Sequence, residues 1–587
     1  MIKKLVRQML TAQICSALAV SLCLLIDIVV IGRYLGDEAM AAYQLANPLL
    51  LCIGAIGTLL SAGVQVACGR SLGTGSRKET NAGYSSAVLV AAVVSFLFMA
   101  VVLIFTPFLA RAMGAGTSGN LFDMTKGYLA GFSIGAPGSM GALVLVPFLQ
   151  MAGQGNLLIV GVLSMTVADV ALDLLNVLVF PNGLFGMGQM FGMGLASSLS
   201  YYAAMLISGV YFISKRCVFK FSLHSVSWRK IVELFREGLP AGFNMASSVI
   251  LTLVLNRILR DTGGTSAVAA FASIINIGNA ANCISTGVGG VSLTLSGIFF
   301  HEEDRTGLRT ELRLLCRYGA FLGLCMGALI AAFASPLISL LIPHPGPTRD
   351  IAILGLRLFA IGMIPCSINN ALKNTWLGTG RVVLTEIVSL LEGAFFPAAA
   401  AFLFSRFLGA DGALMYFAVG EWVTLLFLGI LVAFITKKHP WYPGAALLLK
   451  EDFGVTEQNL LEMNIHTMEE VTEASRKAEQ FCLGHGQDAK ISNHIALCVE
   501  EMAGNTIQHG FAMDNKHHDL SVRLLHKDTG LTLRFRDDCG AFDPVHYIPQ
   551  EGTEALGLRL VLAFAEDVRY TYAMNLNNVC IRIGNHR

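Results

Sequence analysis

Twelve apolar stretches of about 20 residues follow one another along the first 440 residues, and this pattern ends near Trp441. A helix of about 20 apolar residues crosses the roughly 30 Å hydrocarbon layer of a bilayer. We therefore predict an all-α polytopic membrane domain with twelve transmembrane helices. The stretches lie near 10–31, 43–68, 84–106, 127–150, 157–180, 190–213, 238–259, 268–298, 315–342, 351–376, 384–405 and 412–436.

The charges divide the chain at the same place. Lys and Arg outnumber Asp and Glu by 28 to 19 before residue 450, whereas Asp and Glu outnumber Lys and Arg by 21 to 13 from there on. Most Lys and Arg of the membrane domain fall in the connections on the side of the two termini, which by the positive-inside rule places both termini in the cytoplasm. We expect the first stretch to be a retained helix and not a cleaved signal peptide, because apolar spans simply continue after it.

The two halves of the membrane domain also resemble each other. Gly73 recurs as Gly297 at an offset of 224 residues, and Gly153 recurs as Gly380 at an offset of 227, each within a longer match. A parallel repeat of this kind places substrate between two bundles that rock against each other. We predict six-helix bundles at 1–220 and 221–440, a linker at 441–456 and a soluble domain at 457–587.

Several acids lie inside the predicted spans, where a charge costs several kcal/mol and therefore indicates function. Asp27 lies late in span one, where the alternative is that it reaches water at the membrane boundary. Asp169 and Asp173 lie four residues apart in span five and so share one helix face, with Asn176 three residues further on. Such a group can share a proton or bind a sodium ion.

Acids of the second half give a weaker signal. Glu386 and Glu392 are six residues apart, about 120° around a helix of 3.6 residues per turn, so we do not expect them to line one surface. Glu421 fits a cavity-lining acid and a hydrogen-bonded structural acid equally well.

Four motifs stand at the ends of predicted spans: Asp27–Gly36, Ala41–Pro48, Gly73–Glu79 and Glu237–Pro240. In this order they resemble motifs of the multidrug and toxic compound extrusion (MATE) transporters over residues 1–440. The resemblance implies an antiporter that exports organic cations or drugs by alternating access. It also implies that Asp27 and Asp173 form the cation or proton site of the N-terminal half.

Departures from the family pattern bear on the coupling ion. Asp169 stands where the family usually has Asn, which favours protonation of one acid of the pair. Ser248 and Cys366 stand where some members carry sodium-binding acids in spans seven and ten. Both H⁺ and Na⁺ stay open as coupling ions, and the departures weaken a sodium site in the second half.

Residues 457–587 have the pattern of a small α/β domain, with helices on one face of a mainly antiparallel sheet. Within it Glu501, Asn505 and His509 are spaced by four and form one stripe of a predicted helix. Such a stripe can hold a magnesium-bound phosphate chain, and the alternative is a solvated helix face. We predict strands at 458–466, 519–527, 531–536, 568–573 and 579–583, and helices at 468–482, 488–509 and 554–565.

Three boxes of the tail occur in order at Glu501–Gly510, Arg536–Pro544 and Ala555–Leu560. They resemble the N box, the adenine-binding box and the last glycine box of the GHKL nucleotide-binding superfamily, in particular the anti-sigma-factor serine kinases of bacteria. The resemblance implies a Bergerat-like two-layer fold that binds ATP or ADP with Mg²⁺. By residue it implies a general base at Glu501, a magnesium ligand at Asn505 beside His509, an acceptor for the adenine amino group at Asp537 and a phosphate-contacting backbone at Gly557.

Three substitutions in these boxes weaken the case for catalysis more than the case for the fold. Cys539, Ala541 and Ala555 stand where the family usually has glycine. Each adds a Cβ where the backbone needs a positive φ or a close approach to phosphate. We therefore expect nucleotide binding more readily than hydrolysis or kinase activity.

The leading interpretation is an exporter in a bacterial-type inner membrane whose cytosolic tail binds nucleotide and regulates transport. One alternative is a membrane-anchored serine kinase or partner-switching protein, with a protein partner of the tail and the bundle as sensor. Another is a flippase for lipids or polysaccharide precursors. No P-loop motif GxxxxGK[ST] occurs, which argues against a P-loop-driven transporter, and we expect no nucleic-acid partner.

Overall fold

The computed structural model describes residues 2–74, 76–214, 217–342, 344–439, 444–450, 453–513, 517–527, 530–545, 547 and 556–584. Trp441, where the apolar pattern ends, and Ala555 of the last glycine box lie outside the described residues. Within the described part of the membrane domain the α-helices are α1 (Ile2–Val30), α2 (Asp37–Gly73), α3 (Arg77–Ala112), α4 (Asn120–Ser133), α5 (Ala136–Met151), α6 (Gly155–Leu178), α7 (Gln189–Ile213), α8 (Trp228–Ala281), α9 (Cys283–His301), α10 (Arg305–Leu341), α11 (Pro347–Gly378), α12 (Val382–Leu390), α13 (Phe396–Leu414) and α14 (Tyr416–Thr436).

Eleven helical stretches in the described residues are long and apolar enough to cross a membrane. Counted together as one broken span, α4 and α5, which meet at a bend of 45°, bring the number to twelve. Outward-facing side chains such as Ile104 of α3, which is 70% exposed, are apolar, as a helix surrounded by lipid requires. The predicted polytopic, all-α membrane domain is confirmed.

The sequence echo between the halves has a conformational cause. Gly153 joins α5 to α6 with φ of 72°, and Gly380 joins α11 to α12 with φ of 82°. Only glycine adopts this left-handed region without steric cost, so both halves need glycine at the same turn. The repeat in sequence therefore reflects a repeated helix connection.

The tail is a five-stranded antiparallel sheet covered on one face by helices, as predicted. The strands pair in the order β1-β2-β3-β5-β4, and alternate side chains such as Leu524, Leu533 and Ile581 pack against α15 and α16. The elements are β1 (Leu460–Ile465), α15 (Met468–Gly484), α16 (Ala489–Asn505), β2 (Leu520–Lys527), β3 (Gly530–Asp537), α17 (Leu556–Phe564), β4 (Asp567–Ala573) and β5 (Leu576–Ile583).

One predicted boundary is wrong. The α-helix expected to reach His509 ends at Asn505, and Thr506–Gly510 form a π-helical turn. His509 therefore does not continue the regular stripe of Glu501 and Asn505, and its side chain is exposed.

The second face of the sheet lies against the membrane domain. Ser521, Arg523 and Thr532 point away from the helices of the tail, yet all three are buried. A two-layer domain on a flexible tether would expose such residues to water. The tail is thus docked on the membrane domain, on the face that we call the tail side.

Candidate functional site

Three acids from α1 and α6 meet in the N-terminal half of the membrane domain. Asp27, Asp169 and Asp173 are 5%, 3% and 0% exposed. The Asp27 carboxyl lies within hydrogen-bonding reach of those of Asp169 and Asp173, and these two acids interact electrostatically with each other. Three carboxylates this close in a buried site repel one another, so an added proton or cation is favoured.

Four of the six carboxyl oxygens of this acid cluster lack a donor among the described residues. Among the described residues, Oδ1 of Asp27, Oδ1 of Asp169 and both oxygens of Asp173 have no hydrogen-bond partner. Burial of an unpartnered carboxylate is costly. These orphaned atoms fit a site that binds a proton or a small cation, although no group of three or more His, Cys, Asp or Glu side chains in the described residues has the geometry of a metal site.

Neighbours of the acid cluster include residues that the sequence did not single out for a role. The ring of Tyr43 contacts that of Tyr128 edge to face at a centroid distance of 5.4 Å, and both rings lie close enough to Asp27 to interact with its charge. The hydroxyls of Ser197 and Ser200 lie within reach of Asp169. Tyr43 lies in one of the four sequence motifs, and this motif is the feature of the sequence that could have indicated its role. Nothing in the sequence indicated a role for the serines of α7.

The side chain of Asn176 is hydrogen-bonded to residues outside the acid cluster. Its Nδ2 donates to the carbonyl of Gln189 at 3.0 Å and to Oε1 of the same residue at 3.2 Å. Its Oδ1 accepts a hydrogen bond from the Leu184 N–H at 2.9 Å. Asn176 thus ties the end of α6 to the start of α7.

The C-terminal half contains a buried polar network of its own. Lys373 of α11 pairs with Glu392, which lies in a π-helical turn between α12 and α13, at 2.5 Å. Glu421 of α14 accepts a hydrogen bond from Asn369 at 3.0 Å. Glu386 is only half-buried. The expectation that Glu386 and Glu392 serve different surfaces stays a prediction.

At the tail side the two halves are in direct contact through α2, α8 and α9. Arg70 of α2 pairs with Glu233 at 3.3 Å and with Glu237 at 3.2 Å, both on α8. A Cβ on Gly238 would lie 2.1 Å from the carbonyl oxygen of Leu59, and one on Gly73 would lie 2.7 Å from that of Ile298. We call these contacts the tail-side gate, because they join the two halves of the membrane domain directly.

In the tail, the three sequence boxes converge on the end of α16. A Cβ added to Gly557 would lie 1.8 Å from Oε2 of Glu501, which places the first turn of α17 directly on that carboxylate. A Cβ on Gly510 would lie 3.0 Å from Sγ of Cys539. The N box therefore contacts both the adenine-binding box and the last glycine box. Asn505 is half-buried and lies between Glu501 and Gly510 in the N box.

Asp537 is held at the end of β3. Its Oδ1 accepts hydrogen bonds from Asn577 Nδ2 at 2.7 Å and from the Cys539 N–H at 3.0 Å, while Tyr570 donates to Asn577. Burial raises the pKa of Asp537, and the bonds from Asn577 and Cys539 oppose that rise. A fixed, buried carboxyl with Oδ2 left outside these bonds suits the acceptor role for an exocyclic amino group, so the residues present fit an adenine nucleotide.

A helical membrane domain built of two similar halves, with a cluster of three buried aspartates in the N-terminal half, defines a secondary-transporter class of protein, here carrying a soluble α/β domain. The chain belongs to the MatE family, whose model matches residues 13–175 and 240–393. A second family, the histidine kinase-like ATPase domain, matches residues 466–583. Both resemblances noted in the sequence are thereby confirmed.

Similar proteins agree with this assignment. A probable multidrug resistance protein, YoeA of Bacillus subtilis, is 22% identical over 329 residues, covering 54% of this chain and 68% of that protein. An FAD transporter of Shewanella oneidensis is 25% identical over 247 residues, covering 40% of this chain and 52% of that protein. The chain thus spans about half the length of the second relative.

Solved structures show the same fold in the membrane domain. A crystal structure of MATE in complex with MaL6 has 19% identity and a TM-score of 0.66, covering 73% of this chain and 94% of that one. An outward-facing conformation of a multidrug resistance MATE family transporter of the MOP superfamily has 20% identity and a TM-score of 0.65, with the same coverage. This likeness establishes the fold alone.

Proposed function

We propose that this protein is a proton-coupled antiporter that exports small organic cations across the plasma membrane of a bacterium, with both termini in the cytoplasm. The observation that carries the proposal is the acid cluster of Asp27, Asp169 and Asp173. The buried carboxyl of Asp27 lies within hydrogen-bonding reach of the other two, and two carboxyls can form a hydrogen bond only when they share a proton. Proton binding and release at this cluster would drive the rocking of the two halves.

The aromatic side chains beside the cluster support an organic cation as substrate. Tyr43, Tyr128 and Tyr201 all interact with the charge of Asp27. Aromatic faces and nearby carboxylates both attract cations. A bound cation and a bound proton would then compete for the same negative charge, which is the basis of antiport.

The test uses the full-length protein in proteoliposomes with ethidium as the transported cation. An imposed pH gradient should drive ethidium movement, and Asp27→Asn and Asp173→Asn should each abolish it. Asp123→Asn is the matched control, because Asp123 lies exposed on α4. Undiminished transport by the double variant would refute the site, and transport driven only by a sodium gradient would assign the coupling to Na⁺.

For the tail we propose regulatory binding of ATP or ADP with Mg²⁺. The supporting observation is the convergence of the three boxes, with Glu501 against Gly557 and Gly510 against Cys539. Asn505 would supply the magnesium ligand and Asp537 would receive the adenine amino group. Calorimetric titration of Mg-ADP and Mg-ATP into the full-length protein should show binding that Asn505→Ala removes, and equal binding by that variant would contradict the assignment.

A further inference from the structure

The tail contacts the N-terminal half of the membrane domain at two helix connections. Arg569 of β4 donates to the carbonyl of Thr74, directly after α2, at 2.8 Å. At the turn between β4 and β5, the Met574 N–H donates to the carbonyl of Met151 at 2.6 Å. In the same turn Asn575 Nδ2 donates to the carbonyl of Gly153 at 2.8 Å.

The same sheet contacts the C-terminal half through an acidic loop between α9 and α10. Arg523 pairs with Asp304 at 2.6 Å, and Lys527 pairs with Glu303. Glu302 pairs with Arg536 and accepts a hydrogen bond from Asn578 at 2.6 Å. One sheet is thus bonded to both halves of the membrane domain. Its partners are Glu302, Glu303 and Asp304 in the C-terminal half and Thr74, Met151 and Gly153 in the N-terminal half.

These contacts flank the tail-side gate. A Cβ on Gly73 would lie 2.7 Å from the carbonyl oxygen of Ile298 and 2.8 Å from Cβ of His301. Thr74 follows Gly73 in the chain, and Glu302 follows His301. In each half, the sheet therefore binds the residue that comes directly after the gate contact. Rocking of the halves to open the tail side must separate these residues, and a sheet bound to both opposes that separation.

The nucleotide boxes are part of the docked surface. Asp538, next to Asp537, pairs with Lys4 of α1 at 2.8 Å. Asp543, at the end of the adenine-binding box, pairs with Arg77 of α3 at 2.8 Å. A ligand that reorganises this box acts directly on contacts with the membrane domain.

A second route runs through the last glycine box. The first turn of α17 packs on Glu501 through Gly557, at the place where phosphates would approach backbone N–H groups of a helix start. Entry of phosphate there must move α17. Because α17 leads within three residues into β4, such a movement reaches Arg569 and the turn at Asn575.

We propose that the tail is a nucleotide-released clamp, which when docked holds the tail-side gate closed and which Mg-ADP or Mg-ATP binding loosens. The inference rests on the proposed function for its effect on transport. Docking and nucleotide affinity are measurable without transport. Linkage requires reciprocity: complete undocking tightens nucleotide binding by the factor by which nucleotide weakens docking, so a variant with weakened docking must bind nucleotide more tightly, by up to that factor.

The test disrupts one docking pair by charge reversal in the full-length protein. Lys527→Glu and Glu303→Lys should each raise hydrogen exchange of the loop 302–306, and the double swap should restore it. Lys477→Glu is the matched control, since Lys477 pairs with Glu473 on the exposed face of α15. Saturating Mg-ADP should raise hydrogen exchange of 302–306 in the wild type. Lys527→Glu should bind Mg-ADP up to about fivefold more tightly than the wild type. This factor corresponds to the free energy that a partly exposed ion pair contributes.

Ethidium transport provides the separate functional readout. Lys527→Glu should raise the initial rate up to about fivefold over the wild type and the Lys477→Glu control, on the same reasoning. Unchanged exchange at 302–306 in Lys527→Glu, or weaker Mg-ADP binding by that variant, would overturn the clamp even if transport is proton-coupled. A protein that shows the exchange and affinity changes but moves no ethidium would retain the clamp and refute the proposed substrate class.

Discussion

Arg523 of the tail and Asp304 of the membrane domain form an ion pair buried on both sides, with Nη1 2.6 Å from Oδ2 and side chains 9% and 3% exposed. Asp304 also caps α10, since its Oδ1 accepts a hydrogen bond from the Gly307 N–H at 2.6 Å. Burial opposes ionisation of Asp304, but the charges of Arg523 and Arg536 outweigh burial, and its pKa lies below the ordinary value. In the docked state these two guanidinium groups, together with hydrogen bonds from Gly307 and Thr306, thus keep the buried carboxylate ionised.

Asp304→Asn should undock the tail without loss of the helix cap. Asn is as good an N-cap residue as Asp, so the change removes the charge and leaves α10 intact. Removal of one partner of a buried ion pair costs about 3–5 kcal/mol, because the other charge stays buried. Hydrogen exchange at 520–527 and 302–306 should rise sharply, and exchange in α10 should not. A variant whose tail exchange equals that of the wild type would show that this pair does not hold the domains together.

Docking should be insensitive to pH in the neutral range. A carboxyl whose pKa is lowered by docking stabilises the docked state above its ordinary pKa of about 4, and this contribution is lost as pH falls through the lowered value. The protection factor at 302–306, which corrects for the intrinsic pH dependence of amide exchange, should therefore stay constant between about pH 8 and pH 5 and fall only in stronger acid. A loss of protection centred near pH 6 to 7 would assign control to a histidine instead.

The ion pairs of Arg70 should keep the tail-side gate closed. In Arg70→Ala, Glu237 loses its ion-pair partner. Glu237 is buried, and one of its carboxylate oxygens already has no hydrogen-bond partner in the described residues. Cys68, two residues before Arg70 in α2 and buried as a free thiol, provides a native reporter. Alkylation of Cys68 by N-ethylmaleimide should become faster in Arg70→Ala. Arg229→Ala, which removes an exposed arginine of α8, is the control and should be alkylated at the wild-type rate. Equal alkylation rates in all three proteins would argue against an ionic gate.

The sequence allowed the elements of both domains to be predicted because their hydrophobic periods are local. Strand β2, expected at 519–527, lies at 520–527, since alternation of Val522 and Leu524 with polar neighbours fixes both its type and its core face. The end of α16 was missed because a π-helical turn keeps the same residue types and differs only in its hydrogen bonds.

Docking was beyond prediction for a physical reason. Arg523 and Arg536 occupy positions that alternate with core residues, which is the ordinary pattern of a solvent-facing strand surface. Their partners Asp304 and Glu302 lie more than 200 residues away in the chain, and no local pattern records such a pairing. The acid cluster was partly accessible, because Asp169 and Asp173 share a helix face, whereas Ser197 comes from a different helix without any signal.

Gly153 and Gly380 offer a matched test of the contact between the tail and the N-terminal half. Both have a left-handed φ, so alanine costs about 1–2 kcal/mol of backbone strain at either site. A Cβ on Gly153 would lie 2.4 Å from the Asn575 backbone nitrogen, whereas a Cβ on Gly380 meets nothing within 4 Å. Both variants should lose similar thermal stability, and only Gly153→Ala should raise exchange at 569–575. Equal exchange in the two variants would place the turn of β4 and β5 outside the docked surface.

Gly557 should control nucleotide affinity through Glu501. In Gly557→Ala the new Cβ would lie 1.8 Å from Oε2 of Glu501, and this carboxylate can swing aside because it is the end of a flexible side chain. The tail should therefore fold, with Glu501 displaced and α17 shifted, and Mg-ADP should bind about tenfold more weakly, a loss of about 1.4 kcal/mol. Gly484→Ala is the control, since a Cβ there meets nothing within 4 Å. Calorimetric titration of Mg-ADP into the two full-length variants and the wild type measures the difference, and unchanged affinity in Gly557→Ala would remove the last glycine box from the nucleotide site.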